Sequence, residues 1–198
     1  MQTVFSEQIH KVSIALLILL FILTSCKKEF IPKPVGYFRI ALPAHNYALY
    51  ESSCPFNMEV PVYSDVEIYR ETQAGDSCWF NLVYPKFRAK IHFTYLPVQG
   101  NLDVLQAETY EFAMKHEMKA DAIIRTPFRV GNREVFGQLY DLKGEAASQC
   151  QFYITDSTSN FIRAALYFEV RPNPDSIAPV LAFIREDIIH ITQTIEWR

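Results

Sequence analysis

Phe87-Arg88-Ala89-Lys90-Ile91-His92-Phe93-Thr94-Tyr95-Leu96 is the run from which the fold class follows. Phe87, Ala89, Ile91, Phe93 and Tyr95 fall on one face of an extended chain, and Arg88, Lys90, His92 and Thr94 on the other. Strict period-two alternation over this length predicts a strand in a sheet with one apolar and one wetter side. Trp79 to Tyr84 precedes it as a partner strand, with Pro85-Lys86 between them.

Toward the amino terminus, Phe56 to Tyr69 reads as strand material broken near Pro61 and Ser64-Asp65, with Pro61 marking an edge or a bulge. Tyr37 to Leu42 is the expected first strand, stopped by Pro43, followed by a loop over Ala44 to Pro55. Residues 71–77, ETQAGDS, form a turn-rich loop.

Toward the carboxyl terminus, Pro97-Val98-Gln99-Gly100 ends the alternating strand and Asn101 is the expected helix N-cap. Leu102 to Lys119 has helical composition with two apolar stripes. One is Leu102, Leu105, Phe112 and His116; the other, nearly opposite, is Ala107, Tyr110, Met114 and Met118. A surface helix needs only one such stripe, so the second is covered by a loop or presented to a partner. Ile123-Ile124, Glu134 to Lys143, Ala147 to Asp156 and Phe161 to Arg171 read as strands. Thr126-Pro127, Gly131-Asn132, Gly144 and Ser157 to Asn160 are the turns. Asp175 or Ser176 then caps a last helix whose stripe is Ile177, Leu181, Ile184, Ile188, Ile191 and Ile195.

This order predicts an α+β fold, a single antiparallel β-sheet with two main helices packed on it. It is similar to the PsbP and Mog1 sandwich fold, whose members also open with an aromatic strand ending in Leu-Pro, here Leu42-Pro43.

The first residues carry a different message. A short region with Lys11 leads into the apolar run Ile14 to Leu23, and then Leu23-Thr24-Ser25-Cys26. That order reads as a secretory signal. A cysteine directly after small residues makes it a lipoprotein signal: residues 1–25 are removed and the Cys26 thiol receives a diacylglycerol. The run is too short to span a bilayer, which needs about 20 residues. The competing reading is an ordinary secretory signal with an incidental cysteine. Residues 26–36, with Pro32, Pro34 and Gly36, form the lipidated N-terminus and an extended tether. Residues 37–198 form the single α+β domain.

Cleavage removes Glu7 and Lys11 together, so the net charge stays at -3. A weakly acidic chain has no electrostatic footprint for nucleic acid. Aromatics at 14% and only 6 glycines point to a packed, strand-rich domain. With Cys26 spent on lipid, Cys54, Cys78 and Cys150 remain, an odd number that reads as one bridge and one free thiol. Cys150 alternates with Phe152 and Ile154, so it is expected to be buried and inert. A Cys54–Cys78 bridge closes a loop of about 25 residues and contributes roughly 3 kcal/mol. Reduced thiols are the alternative.

No catalytic or cofactor motif accompanies this frame. No two of the five histidines stand at metal-ligand spacing; His92, His116 and His190 read as structural or surface residues. Asp121, Asp141, Glu145 and Asp156 border strands, and a carboxylate pair among them would be needed for a hydrolase.

PKPVGYFRIALP (Pro32 to Pro43), Cys54-Pro55-Phe56, CWFNLVYP (Cys78 to Pro85) and Thr94 to Val98 together resemble the gliding motility lipoprotein GldD family of the Bacteroidota. Lys119-Ala120-Asp121, QFYITDS (Gln151 to Ser157), Leu166-Tyr167-Phe168 and Pro172-Asn173 continue the resemblance, which covers nearly the whole mature chain. It implies a cell-envelope lipoprotein needed for gliding and type IX secretion, with lipid on Cys26 and a Cys54, Cys78 pair. No catalytic residue, cofactor or metal is implied, so the expectation is a non-enzymatic component whose partners are the membrane and other envelope proteins. Tyr110, Met114 and Met118 are the expected partner face. The periplasmic side of the outer membrane is the expected address, since Lys27 and Lys28 are not an acidic surface-export signal. The alternative is a periplasmic lipoprotein that binds a small ligand or lipid.

Overall fold

The computed structural model describes residues 40–51, 54–71, 78–131, 133–170 and 173–198. The signal, the tether and Cys26 lie outside the described residues, as do residues 37–39 of the expected first strand. Residues 40–46 have no regular structure, and the first described strand is β1, Tyr47–Glu51, inside the segment expected to be a loop. β1 leaves Leu49 60% exposed, so its burial follows no alternation that the sequence could display.

The fold is α+β, but it has two sheets rather than one. β1 and β2 (Phe56–Pro61) pair antiparallel, and a two-residue strand, β10 (Glu196–Trp197), pairs on the other side of β2. The large sheet contains β3 (Asp65–Glu71), β4 (Cys78–Tyr84), β5 (Ala89–Pro97), β6 (Ala120–Arg129), β7 (Phe136–Gly144), β8 (Ser148–Thr155) and β9 (Asn160–Phe168). Its order is β3-β4-β5-β9-β8-β7-β6. The division into two sheets has a local cause. Pro61 ends β2, Ser64 donates both its backbone N–H and its hydroxyl to the Pro61 carbonyl, and the turn sends the next residues into the other sheet. The strand run Phe56 to Tyr69 is thus split between two sheets at its proline.

β3-β4-β5 form one meander and β6-β7-β8-β9 a second, and the two join where β5 pairs with β9. Helix α1 (Leu102–Met114) carries the chain from the middle of the sheet to its far edge. Pro85–Phe87 is a single 3₁₀ turn closed by Arg88 at φ 50, so Phe87 and Arg88 belong to the hairpin turn rather than to β5. Thr126-Pro127 is not a turn: both lie in edge strand β6, the position where a strand tolerates a missing N–H.

Helix α2 (Pro174–Thr194) packs on β2 and β8. Asn173, not Asp175 or Ser176, is its N-cap; its side chain accepts from the Ser176 N–H, and Pro174 occupies the first turn without wasting a donor. The expected isoleucine stripe of α2 is buried with Val180 and Phe183 against Phe80, Leu82, Ile91, Phe93, Phe152, Ile154 and Leu166. Phe56 and Met58 of β2 close this core from the small sheet. Each such side chain, taken fully from water, contributes about 1.5–3 kcal/mol. Cys54 and Cys78 are disulfide-bonded, with Cα atoms 5.8 Å apart, so the residue before Pro55 and β2 is tied to the start of β4. Cys150 is free and buried in the core.

Candidate functional site

Asp187 interrupts the apolar stripe of α2 and is 0% exposed. A carboxylate in such a place needs donors, because a buried charge without hydrogen bonds is costly. Separate stretches of chain supply them. Tyr47 of β1 donates to Asp187 Oδ1 at 2.9 Å, and Tyr63, in the turn between β2 and β3, donates to the same oxygen at 2.7 Å. His45, just before β1, brings Nδ1 to 2.8 Å from Oδ1 and Nε2 to 2.9 Å from Glu186 Oε2. The hydroxyl of Tyr84, at the end of β4, is buried beside the same carboxylate, and burial, then the Asp187 charge, holds this phenol well above its ordinary range.

Rings pack around this polar centre. His45 stacks on Phe183 with centroids 4.3 Å apart, and Tyr47 stacks on His190 at 3.5 Å. His190 Nε2 in turn lies 2.6 Å from Glu59 Oε2 on β2. Burial, the hydrogen bond to Asp187 and the Asp187 charge hold the Tyr47 and Tyr63 phenols well above their ordinary range. They therefore remain donors at any physiological pH. The arrangement is a clasp: one carboxylate in the middle of α2 gathers the segment before β1, β1 itself and the inter-sheet turn.

Cys26 lies outside the described residues. Tyr110 is 41% exposed on α1, and Met118 is 98% exposed in the turns after it. Met114 is half-buried and packs on a second cluster of Ala113, Tyr140, Leu142 and Ala146, so it does not share a free face with the other two. The buried line of α1 is Leu105, Thr109 and Ala113; Leu105 belongs to the first expected stripe, whereas Thr109 and Ala113 belong to neither. Thr109 enters it by turning its hydroxyl onto the Leu105 carbonyl at 2.8 Å. Phe112 is left outside, with the Arg163 guanidinium 4.1 Å and the Lys115 ammonium 4.5 Å from its ring centre. Asn101 does precede α1, but its side chain accepts from Gln99 N–H rather than capping the helix.

The four carboxylates considered for hydrolysis do not converge. Asp141 is gripped by Arg185 through Nε at 2.8 Å and Nη2 at 2.9 Å. Asp156 accepts from the backbone N–H groups of Thr158, Ser159 and Asn160. Asp121 and Glu145 are exposed near the Gly144 turn. His92 bonds to Asn81 at 2.7 Å on the wetter sheet face. The clasp went unseen in the sequence although α2 carried its signal, an aspartate one residue before Ile188 on the buried stripe. His45, Tyr47 and Tyr63 carry no periodicity that would have marked them.

The structure is thus an α+β module in which one helix packs on two sheets and carries a buried carboxylate clasp, and no helix among the described residues is long and apolar enough to cross a membrane. The family model of the gliding motility lipoprotein GldD matches residues 27–197, and the chain belongs to that family. Membership places it among the lipid-anchored proteins of the cell envelope that take part in gliding motility. No curated protein matches the chain.

Proposed function

We propose that this domain is a non-enzymatic structural component serving both gliding and type IX secretion, held by lipid at Cys26 on the periplasmic side of the outer membrane. The observation that carries the reading is the clasp. Among the described residues, a dense group of titratable side chains ties the first of them to α2. A module that hangs from its amino terminus benefits from such a joint, because load entering near residue 45 passes directly into the central helix. Two acyl chains suffice for stable anchoring, and the folded domain then meets protein partners at high effective concentration along the membrane. Tyr110 and Met118 are the proposed contact residues.

A photo-crosslinking side chain placed at 110 or 118 in living cells tests this. The expected result is covalent adducts with envelope proteins of the gliding and secretion apparatus, identified by mass spectrometry. Adducts confined to unrelated proteins, or none at either position in a functional strain, would remove these residues from the contact face.

A further inference from the structure

The face of the large sheet turned away from α2 carries a groove of about 320 Å³ lined by Trp79, Asn81, His92, Phe93 and Thr94. The strand register lays out its floor. Trp79, Thr94 and Arg163 stand side by side on β4, β5 and β9, and Asn81, His92 and Ala165 form the next row. Neighbouring strands lie about 4.8 Å apart, so each row spans about 10 Å. Ala165 is the smallest of the six side chains and keeps the floor low beyond His92. The Tyr167 ring meets the His92 ring T-shaped, with centroids 5.4 Å apart, and Arg163 lies over the Phe112 ring of α1. Trp79 and Tyr167 thus stand at opposite corners of a strip whose middle is polar.

Those polar groups are neutral and ordered. His92 Nδ1 lies 2.7 Å from Asn81 Oδ1. An amide oxygen only accepts, so Nδ1 carries the ring proton. Partial burial, then the Lys90 charge, holds His92 below its ordinary pKa, which leaves Nε2 a lone-pair acceptor at neutral pH. The Asn81 amide adds N–H donors, and the Thr94 hydroxyl both donates and accepts. Charge at the edges is offset: Lys90 lies 3.5 Å from Glu67 and 3.4 Å from Glu169, and Glu108 stands near Arg163. A flat aromatic ring beside neutral donors and acceptors matches a ligand with one apolar face and a rim of hydroxyls. A pyranose sugar has that form, with C–H groups across its face and hydroxyls around its edge.

We propose that this strip binds a neutral, β-linked oligosaccharide through two consecutive pyranose rings. One ring stacks on Trp79 and exchanges hydrogen bonds with Asn81, His92 and Thr94. The next lies over Ala165, between Arg163 and Tyr167. A β-linked chain is an extended ribbon, which suits a straight strip open at both ends. The assignment is independent of the contact face on α1, and its failure would leave that face untouched.

Isothermal titration calorimetry on the whole mature chain with Cys26→Ser tests it, with triacetylchitotriose and cellotriose as neutral β-linked probes. At least one trisaccharide should bind with a Kd of about 1 mM or tighter, and its monosaccharide about tenfold more weakly. Trp79→Ala should weaken trisaccharide binding about tenfold. His92→Ala, a change at an exposed position, should weaken it about fivefold in a protein whose fold is intact by circular dichroism. Absence of binding by both trisaccharides overturns the proposal. So does unchanged affinity in the folded His92→Ala protein, or equal affinity for the monosaccharide.

Discussion

Tyr63 donates its hydroxyl proton to Asp187 Oδ1 across 2.7 Å, joining the turn that passes the chain from one sheet to the other with the middle of the helix packed on both. Removing the fully buried carboxylate takes the shared partner from Tyr47, Tyr63 and His45 at once, whereas removing one phenol leaves the carboxylate with the others. Asp187→Ala should therefore lower unfolding free energy by about 2–4 kcal/mol, and Tyr63→Phe by about 1 kcal/mol. Urea titrations read both. Equal small losses would mean that the clasp is not a joint.

The Cys54–Cys78 link spans 24 positions and connects the approach to β2 with β4. Its main effect falls on the unfolded chain, whose freedom it restricts, and paired replacement by serine should cost roughly 3 kcal/mol. Cys150 behaves differently. Burial, then the nearby Asp141 charge, pushes its thiol well above the ordinary range. The native protein should accordingly show no thiol reactive toward iodoacetamide at pH 8, and one after unfolding without reductant; fast native labelling would contradict the packing.

Asp156 makes the stability of the fold depend on pH. Burial raises its pKa, but the N–H groups of Asn160, Ser159 and Thr158 and the Asn160 side chain outweigh that and leave it below the usual carboxylate value. The unfolded chain then takes up its proton first as pH falls. The contribution is fully present above the unfolded value of about 3.9 and disappears as pH drops through the lower folded value. Asp156→Asn should thus flatten the stability profile below pH 4 relative to the unmodified protein, measured by thermal unfolding between pH 2.5 and 6. Parallel profiles would sink the assignment.

The elements most legible in the sequence were those in which one face is buried and the other wet. β5 and α2 obey this, and their apolar positions land in the core as expected, with Leu181 only half-buried. The single sheet failed because period-two alternation says nothing about which sheet a strand joins; Pro61 carried the split, and its role as a sheet boundary appears only in space. β1 was missed because its residues are largely exposed, and β10 because two residues have no period. The α1 stripes misled because Thr109, a polar residue, satisfies itself on Leu105 and takes a buried place that Phe112 leaves empty. The clasp rests on contacts 124 and 140 positions apart in sequence, beyond the reach of any local pattern.

On α1, the exposed residues separate from the packed one. Charged replacements at Tyr110 and Met118 should leave stability within about 0.5 kcal/mol, while Met114→Glu, which drives a charge toward Ala113 and Leu142, should cost about 2 kcal/mol or more. Circular dichroism melts distinguish the two classes. Similar losses at all three positions would contradict the placement of α1.

Anchoring is the point on which the functional account stands. Cys26→Ser at the native locus, followed by membrane fractionation together with gliding and secretion assays, tests it most directly. The account predicts a folded protein that leaves the membrane fraction and fails to support either process. A soluble, unlipidated protein that restores normal gliding and secretion would contradict it.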